Sequence, residues 1–214
     1  MSGRKGRPRC AQNARSKAFF AWERVLLLLL LVSAAASLQE VLFEGVGLET
    51  GAIFSDCRRW RYVLWRVWDW DLRLLLSISL NPSTACERFN DKTVAKMIRY
   101  AKLWGFGGLI KLNVYGWRAK SPKDMKKQGV AAIGDLNDFW IQEVWKVFGP
   151  DGRDQIGLSV GSWGNHDFLN RGPIIREYIP NLHYLKLNEN GSPTHPLYLP
   201  MSTKPVPFNL KALC

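Results

Sequence analysis

Leu72-Arg73-Leu74-Leu75-Leu76-Ser77-Ile78-Ser79-Leu80-Asn81-Pro82-Ser83-Thr84-Ala85 is the stretch on which the fold turns. From Leu72 to Leu80 it is nearly all apolar, as expected of a strand with both faces of its sheet covered. It stops at Asn81-Pro82, because proline cannot continue the hydrogen-bonded ladder. Upstream, Arg61 to Val67 reads as another strand that turns through Asp69-Trp70-Asp71 into the first. Downstream, Asn90 or Asp91 can cap a helix whose Val94, Met97, Ile98 and Ala101 share one face, with Gly105 where a C-terminal cap belongs.

The same alternation continues. Gly108 to Val114 is a third strand, and Tyr115 to Gly134 reads as a polar loop. Asn137 or Asp138 can cap a second helix that aligns Ile141, Val144, Trp145 and Phe148. Ile156 to Val160 is a further strand, ending at Gly161. A third helix falls within Asp167 to Tyr178, with Pro173 disturbing its middle, and His183 to Leu187 is the last strand. Strands alternating with helices imply an α/β fold, a single three-layer domain with a mostly parallel central sheet flanked by helices. We assign it to residues 51–205, with 1–50 as an extension and 206–214 as a tail.

The extension has its own character. Seven Lys/Arg against Glu23 give residues 1–24 a charge of +6, half of the +12 of the whole chain. Val25 to Val32 is an unbroken apolar run followed by Ser33-Ala34-Ala35-Ala36-Ser37, the layout of a secretory signal, although Glu23-Arg24 abut the run. The run is far short of the ~20 residues of a membrane span. The expectation is a cytoplasmic protein with a non-native or poorly ordered extension; secretion is the alternative. Four scattered cysteines, without a Cys-x-x-Cys pair, form neither a zinc pattern nor a dense disulfide framework. Three histidines without His-x-x-x-His spacing leave no metal centre to expect, and no Walker or dinucleotide glycine pattern calls for a cofactor.

Four polar motifs follow strands: Asn81 to Ala85 with Ser83 and Thr84, Asn113 with Tyr115 to Arg118, Gly161 to His166 with Trp163 and Asn165, and Thr194 to Tyr198 with His195 and Leu197. Each alone has a structural explanation as a turn or cap. A parallel sheet brings all four to one edge, and open α/β sheets bind ligands beyond the carboxyl ends of their strands. Asn81 and Asn113 offer amides that donate and accept at once, suiting a nucleobase edge, and His166 and His195 can act as acid, base or donor. Ser83 and Thr84 could hold phosphate. Asp91 reads first as a helix cap. The positive charge favours a nucleic acid or nucleotide partner, and Lys120, Lys123, Lys126 and Lys127 form either a solvated loop or a contact with a phosphate backbone.

With these residues in view, the chain resembles a bacterial and phage family known as a domain of unknown function, the 1643 family (DUF1643). The resemblance runs from about Arg61 to Pro200. It is carried by Leu80 to Ala85, Trp104 to Leu109, Asn113 with Arg118-Ala119, Gly134 with Asn137-Asp138, Trp163 to His166 and His195 to Pro200. Cys86 stands where the family pattern has an acid, and Lys92 where it has proline. More distantly, a strand ending in Asn-Pro, a middle strand ending in Asn, a late Trp-Gly and a final His-Pro are similar in order to the uracil-DNA glycosylase superfamily. That similarity implies that Asn81 positions water or the sugar, Asn113 reads the flipped base, His195 stabilises the departing base anion, and Leu197 or Tyr198 fills the gap in the duplex. No glycine follows the first Asn-Pro here, and His-Pro-Leu-Tyr replaces His-Pro-Ser-Pro. A glycosylase-like hydrolase, a non-catalytic nucleotide or nucleic-acid module, and purely structural motifs are the readings that the sequence leaves open.

Overall fold

A computed structural model describes residues 48–208; the charged, signal-like extension up to residue 47 lies outside the described residues. The strands are β1 (Glu49–Phe54), β2 (Arg61–Val67), β3 (Leu74–Ser79), β4 (Gly108–Asn113), β5 (Ile156–Ser162), β6 (Leu182–Tyr184) and β7 (Val206–Pro207). The helices are α1 (Lys92–Leu103), α2 (Pro122–Lys126), α3 (Asn137–Phe148) and α4 (Arg171–Tyr178). The strands form one seven-stranded sheet in the order β1-β2-β4-β3-β5-β6-β7.

The sheet is mixed, which corrects the expectation of a mostly parallel one. β3 pairs in parallel with β4 and β5, and β5 with β6, whereas β1–β2, β2–β4 and β6–β7 are antiparallel. The turn at Asp69-Trp70-Asp71 does not fold β2 onto β3, because β4 takes the place between them. The Trp68 and Asp69 amides both donate to the Gly107 carbonyl at 2.9 Å. A Cβ on Gly107 would sit 1.9 Å from the Asp69 carbonyl oxygen, so only glycine lets the β2 end and the β4 start approach this closely.

Every residue of β3 and β4 is buried, as strands covered on both faces require. One face of the sheet meets α1: Val94, Met97, Tyr100 and Ala101 pack with Leu75 of β3 and Leu109 of β4. The opposite face carries Leu74, Leu76, Ile78, Ile110 and Leu112 against Trp140, Ile141 and Val144 of α3 and Ile175 of α4. The chain is therefore a three-layer α/β structure. Period-two alternation puts Ser77 and Ser79 on the Leu75 side of β3 and Lys111 on the Leu109 side of β4, all facing the α1 layer.

Several local readings need correction. Asp91 does cap α1, its Oδ1 accepting from the Val94 amide at 2.8 Å. Neither Asn137 nor Asp138 caps α3: Asn137 is its first residue, and its Nδ2 donates instead to the Asn113 and Val114 carbonyls. Asp138 forms an ion pair with the buried Arg171 of α4. The stretch Tyr115 to Gly134 is not a plain loop. It contains α2 and a 3-10 turn (Gly129–Ala132), and it buries Tyr115, Met125 and Ala132. α4 starts only at Arg171, so Pro173 lies in its first turn, where its missing N–H has no helical partner to lose.

Candidate functional site

β3, β4, β5 and β6 run in parallel, so the segments that follow them emerge at one rim. From β3 the chain passes through α1 to β4 on one side, then through α3 to β5 on the other. The segments after β3 and β5 thus diverge, opening a crevice where the strand order reverses. A cavity of about 860 Å³ occupies it.

Two buried arginines of β2 hold the first wall. Arg61 donates to the Ala85 carbonyl at 3.1 Å, while Arg66 donates to the Asn90 Oδ1 at 2.8 Å and to the Cys86 carbonyl. They fix the segment that delivers Asp91 to α1. The Asn81 Nδ2 donates to the Pro82 and Ala119 carbonyls at 2.9 Å. Its donor capacity therefore braces the wall, and its Oδ1 has no partner among the described residues.

The opposite wall is held from below by Tyr115. Its hydroxyl donates to the Asp167 Oδ1 at 2.5 Å and accepts from the Phe168 and Leu169 amides. Gly164, at φ +73°, lets the chain turn sharply after the buried Trp163. The Asn165 Oδ1 accepts from the Ser192 hydroxyl at 2.6 Å, and the Gly164 amide donates to the Pro193 carbonyl at 2.8 Å. These bonds join the segment after β5 to the His195 turn. That turn is fastened to α1 in its own right, since Lys96 Nζ donates to the Leu199 carbonyl and the Tyr100 hydroxyl to the Pro200 carbonyl.

Nine of the eleven residues expected at the rim line this cavity: Asn81, Ser83, Thr84, Trp163, Asn165, His166, His195, Leu197 and Tyr198. Asn113 and Arg118 do not. Asn113 is only 1% exposed, and its Oδ1 accepts from Arg61 at 3.0 Å, so it serves the wall from behind. Arg118 borders a neighbouring depression, where Arg58 and Arg118 both lie over the Phe54 ring. Among the lysines grouped in sequence, Lys120 lines the cavity and Lys123 and Lys126 border a depression beside His166; Lys127 pairs with Asp124.

The sequence reading missed the two buried cations of the lining. Lys111 is 2% exposed; its Nζ donates to the Ser79 hydroxyl and, at 3.4 Å, to that of Ser77. Ser79 is bonded in turn to Ser162. Arg61 is 1% exposed, and its Nε has no partner among the described residues. Neither cation makes an ion pair among those residues. Burial pushes the Lys111 amine down to about 7, against the pull of Asp91 and with the help of Arg61's charge. Burial likewise lowers Arg61 to about 10. A lysine inside the otherwise apolar run Gly108 to Leu112 is the available signal.

His195 is pushed down to about 4, chiefly by burial and further by the Lys111 charge. It is therefore a neutral imidazole at neutral pH. Its Nδ1 accepts from the Leu197 amide at 3.4 Å, which leaves the ring hydrogen on Nε2. Asp91 is the only acid on the lining, against Arg61, Lys92, Lys111 and Lys120. No group of His, Cys, Asp and Glu among the described residues could hold a metal ion, and no helix among them is long and apolar enough to cross a membrane.

The family model described as "Protein of unknown function (DUF1643)" matches residues 61–197. The chain belongs to this family. No curated protein and no solved structure matches it. The DUF1643 match starts at the cavity arginine, Arg61, and ends at Leu197, so every lining residue except Tyr198 falls inside it.

Proposed function

We propose that the rim cavity binds a nucleotide, either free or carried on a nucleic acid. The observation that carries this reading is the make-up of the lining. Four cations face one acid around a space large enough for a nucleotide, and the neutral groups at its edge include both hydrogen-bond donors and acceptors. Asn81 supplies an acceptor oxygen. Asn165, whose oxygen is taken by Ser192, supplies its amide hydrogens, and His195 supplies an Nε2 hydrogen. A mixed donor and acceptor set suits a nucleobase edge, and the cations suit its phosphate. Asn113, read from the sequence as the base contact, has no part in it.

The residues also suit one reaction, hydrolysis of the bond between base and sugar, in line with the motif order similar to the uracil-DNA glycosylase superfamily. Water adds to the sugar C1′ as the C1′–N bond breaks. The base leaves with the bonding pair, steadied by the Nε2 hydrogen of a neutral His195. The water proton passes to Asp91, whose second oxygen is not engaged by the helix cap.

The test is a thermal-shift screen of the full chain with nucleobases, nucleosides, nucleotides and short oligonucleotides, since a ligand of the native state raises Tm by mass action. The expected result is a rise with nucleotides that His195→Ala diminishes. Absence of a shift with every one of them refutes the reading. Free base released by the wild type and not by Asp91→Asn marks hydrolysis; binding without release leaves a module that holds its ligand unchanged.

A further inference from the structure

A charged side chain taken out of water needs a counter-charge, and the cavity holds two that lack one. Arg61 and Lys111 are both more than nine-tenths buried, both line the cavity, and neither meets a carboxylate of the described residues within ion-pair distance. Their partners among the described residues are neutral: the Ala85 carbonyl and the Asn113 oxygen for Arg61, and two serine hydroxyls for Lys111. Elsewhere the chain treats buried charge differently. Arg171, equally buried, is matched by Asp138. Arg66 spreads its donors over five acceptors. At the cavity, among the described residues, two buried cations have neither a carboxylate nor so full a set of acceptors, and leaving them so is costly.

We propose that Arg61 and Lys111 form a subsite for a terminal phosphate monoester, which supplies the missing negative charge. Two cations balance the dianion of a monoester. The Arg61 guanidinium has hydrogens beyond the two it gives to Ala85 and Asn113, and the Lys111 ammonium has a third hydrogen beyond its two serine bonds. A guanidinium and an ammonium together give the forked and the point contact that phosphate oxygens accept. Burial decides between monoester and diester. An internal diester carries carbon on two of its oxygens and must leave the site in two directions, whereas cations this deeply covered favour a group attached through one. A nucleoside 5′-monophosphate and the phosphorylated end of a strand both present this chemistry. Burial and Arg61's charge hold the Lys111 amine near 7, and the dianion draws it back towards the ammonium form.

The inference rests on the nucleotide reading for the rest of the ligand but not for the phosphate itself. Isothermal titration of the full chain with inorganic phosphate, a nucleoside, its 5′-monophosphate, and an oligonucleotide with and without a 5′-phosphate separates the two. The monophosphate is expected to bind at least about tenfold more tightly than the nucleoside, the worth of one charge-assisted bond. Inorganic phosphate is expected to compete with the monophosphate and not with the nucleoside. Lys111→Met should erase the difference while leaving nucleoside affinity in place, and Lys127→Met, on the surface, should leave it intact. A gain from the 5′-phosphate on the oligonucleotide points to strand ends, and its absence to free nucleotides; either supports the subsite. Equal affinity for nucleoside and monophosphate in the wild type overturns the proposal even if Lys111→Met fails to fold. Binding of phosphate with no added affinity from the nucleoside overturns the nucleotide reading alone.

Discussion

Lys111→Met keeps most of the side chain's length and volume while removing the charge, so its effect on stability can be worked out in advance. The amine falls from its ordinary 10.5 to about 7 on folding, with burial the principal cause. The unfolded chain therefore binds more protons than the folded one between those two values, and stability must rise with pH across that window. At about 1.4 kcal/mol per tenfold change in proton affinity, burial costs on the order of 4 kcal/mol at pH 7 and about 2 kcal/mol at pH 9. Methionine abolishes that cost. It also takes a donor from Ser77 and Ser79, of which Ser79 keeps its bond to Ser162, for a loss of about 1 kcal/mol. The variant should exceed the wild type by about 3 kcal/mol at pH 7, and the gap should narrow to about 1 kcal/mol at pH 9. Urea unfolding of both proteins at several pH values in that range, without phosphate in the buffer, measures the gap directly. A constant difference between the two, or a methionine variant less stable at pH 7, would refute the reasoning that Lys111 is buried at a cost.

Three further outcomes follow from the same contacts. Asp91→Ala removes the oxygen that caps α1 and should cost about 1 kcal/mol, whereas Asp91→Asn, an equally good cap, should stay within a few tenths; equal losses in urea unfolding would show that the charge and not the cap holds the helix start. Nucleotide affinity should follow the same pH profile in His195→Gln as in the wild type between pH 5 and 8, because His195 stays neutral down to about pH 4; a step near pH 6.5 that disappears in His195→Gln would contradict its burial. Tyr115→Phe strips the support from the Asp167 carboxylate and two amides, with an expected loss of about 1–3 kcal/mol, and chemical-shift changes should centre on Trp163 to His166; an unaltered urea midpoint would rule the anchor out.

The parts of this fold that follow from local periodicity could be read from the chain. The bounds of β2 agree with its apolar run, those of β3 and β4 differ from theirs by at most two residues, and α1 starts after Asp91, one of its two candidate caps, because apolar runs and cap residues act over a few positions. Strand order was not legible. Nothing in Asp69-Trp70-Asp71 says that β4 will insert beside β2, since that depends on the fit of Gly107 against Asp69, far away in sequence. β7 went unread for a similar reason. Val206-Pro207 has little strand character of its own and is held by pairing with β6 and by the stacking of Phe208 on Trp163.

The rim motifs were legible because polar residues after apolar strands have few reasons to be there. The charged groups behind them were not, and the reason is physical. A lysine in a strand is ordinarily a solvent-facing residue, and the alternation of Gly108 to Asn113 says only which face Lys111 takes. That α1 covers this face, and that the serines of the neighbouring strand lie beneath the amine, are consequences of the β3–β4 register, in which Ser77 opposes Lys111. Asn113 shows the converse. Its place at a strand end made it look like a ligand contact, but the register turns it towards Arg61, where it holds a cation in place instead of reading a base. The two errors have one origin. Residues at the rim could be counted from the sequence, but the charges behind them depend on which strands become neighbours, and here that pairing supplies the cations on which the phosphate subsite rests.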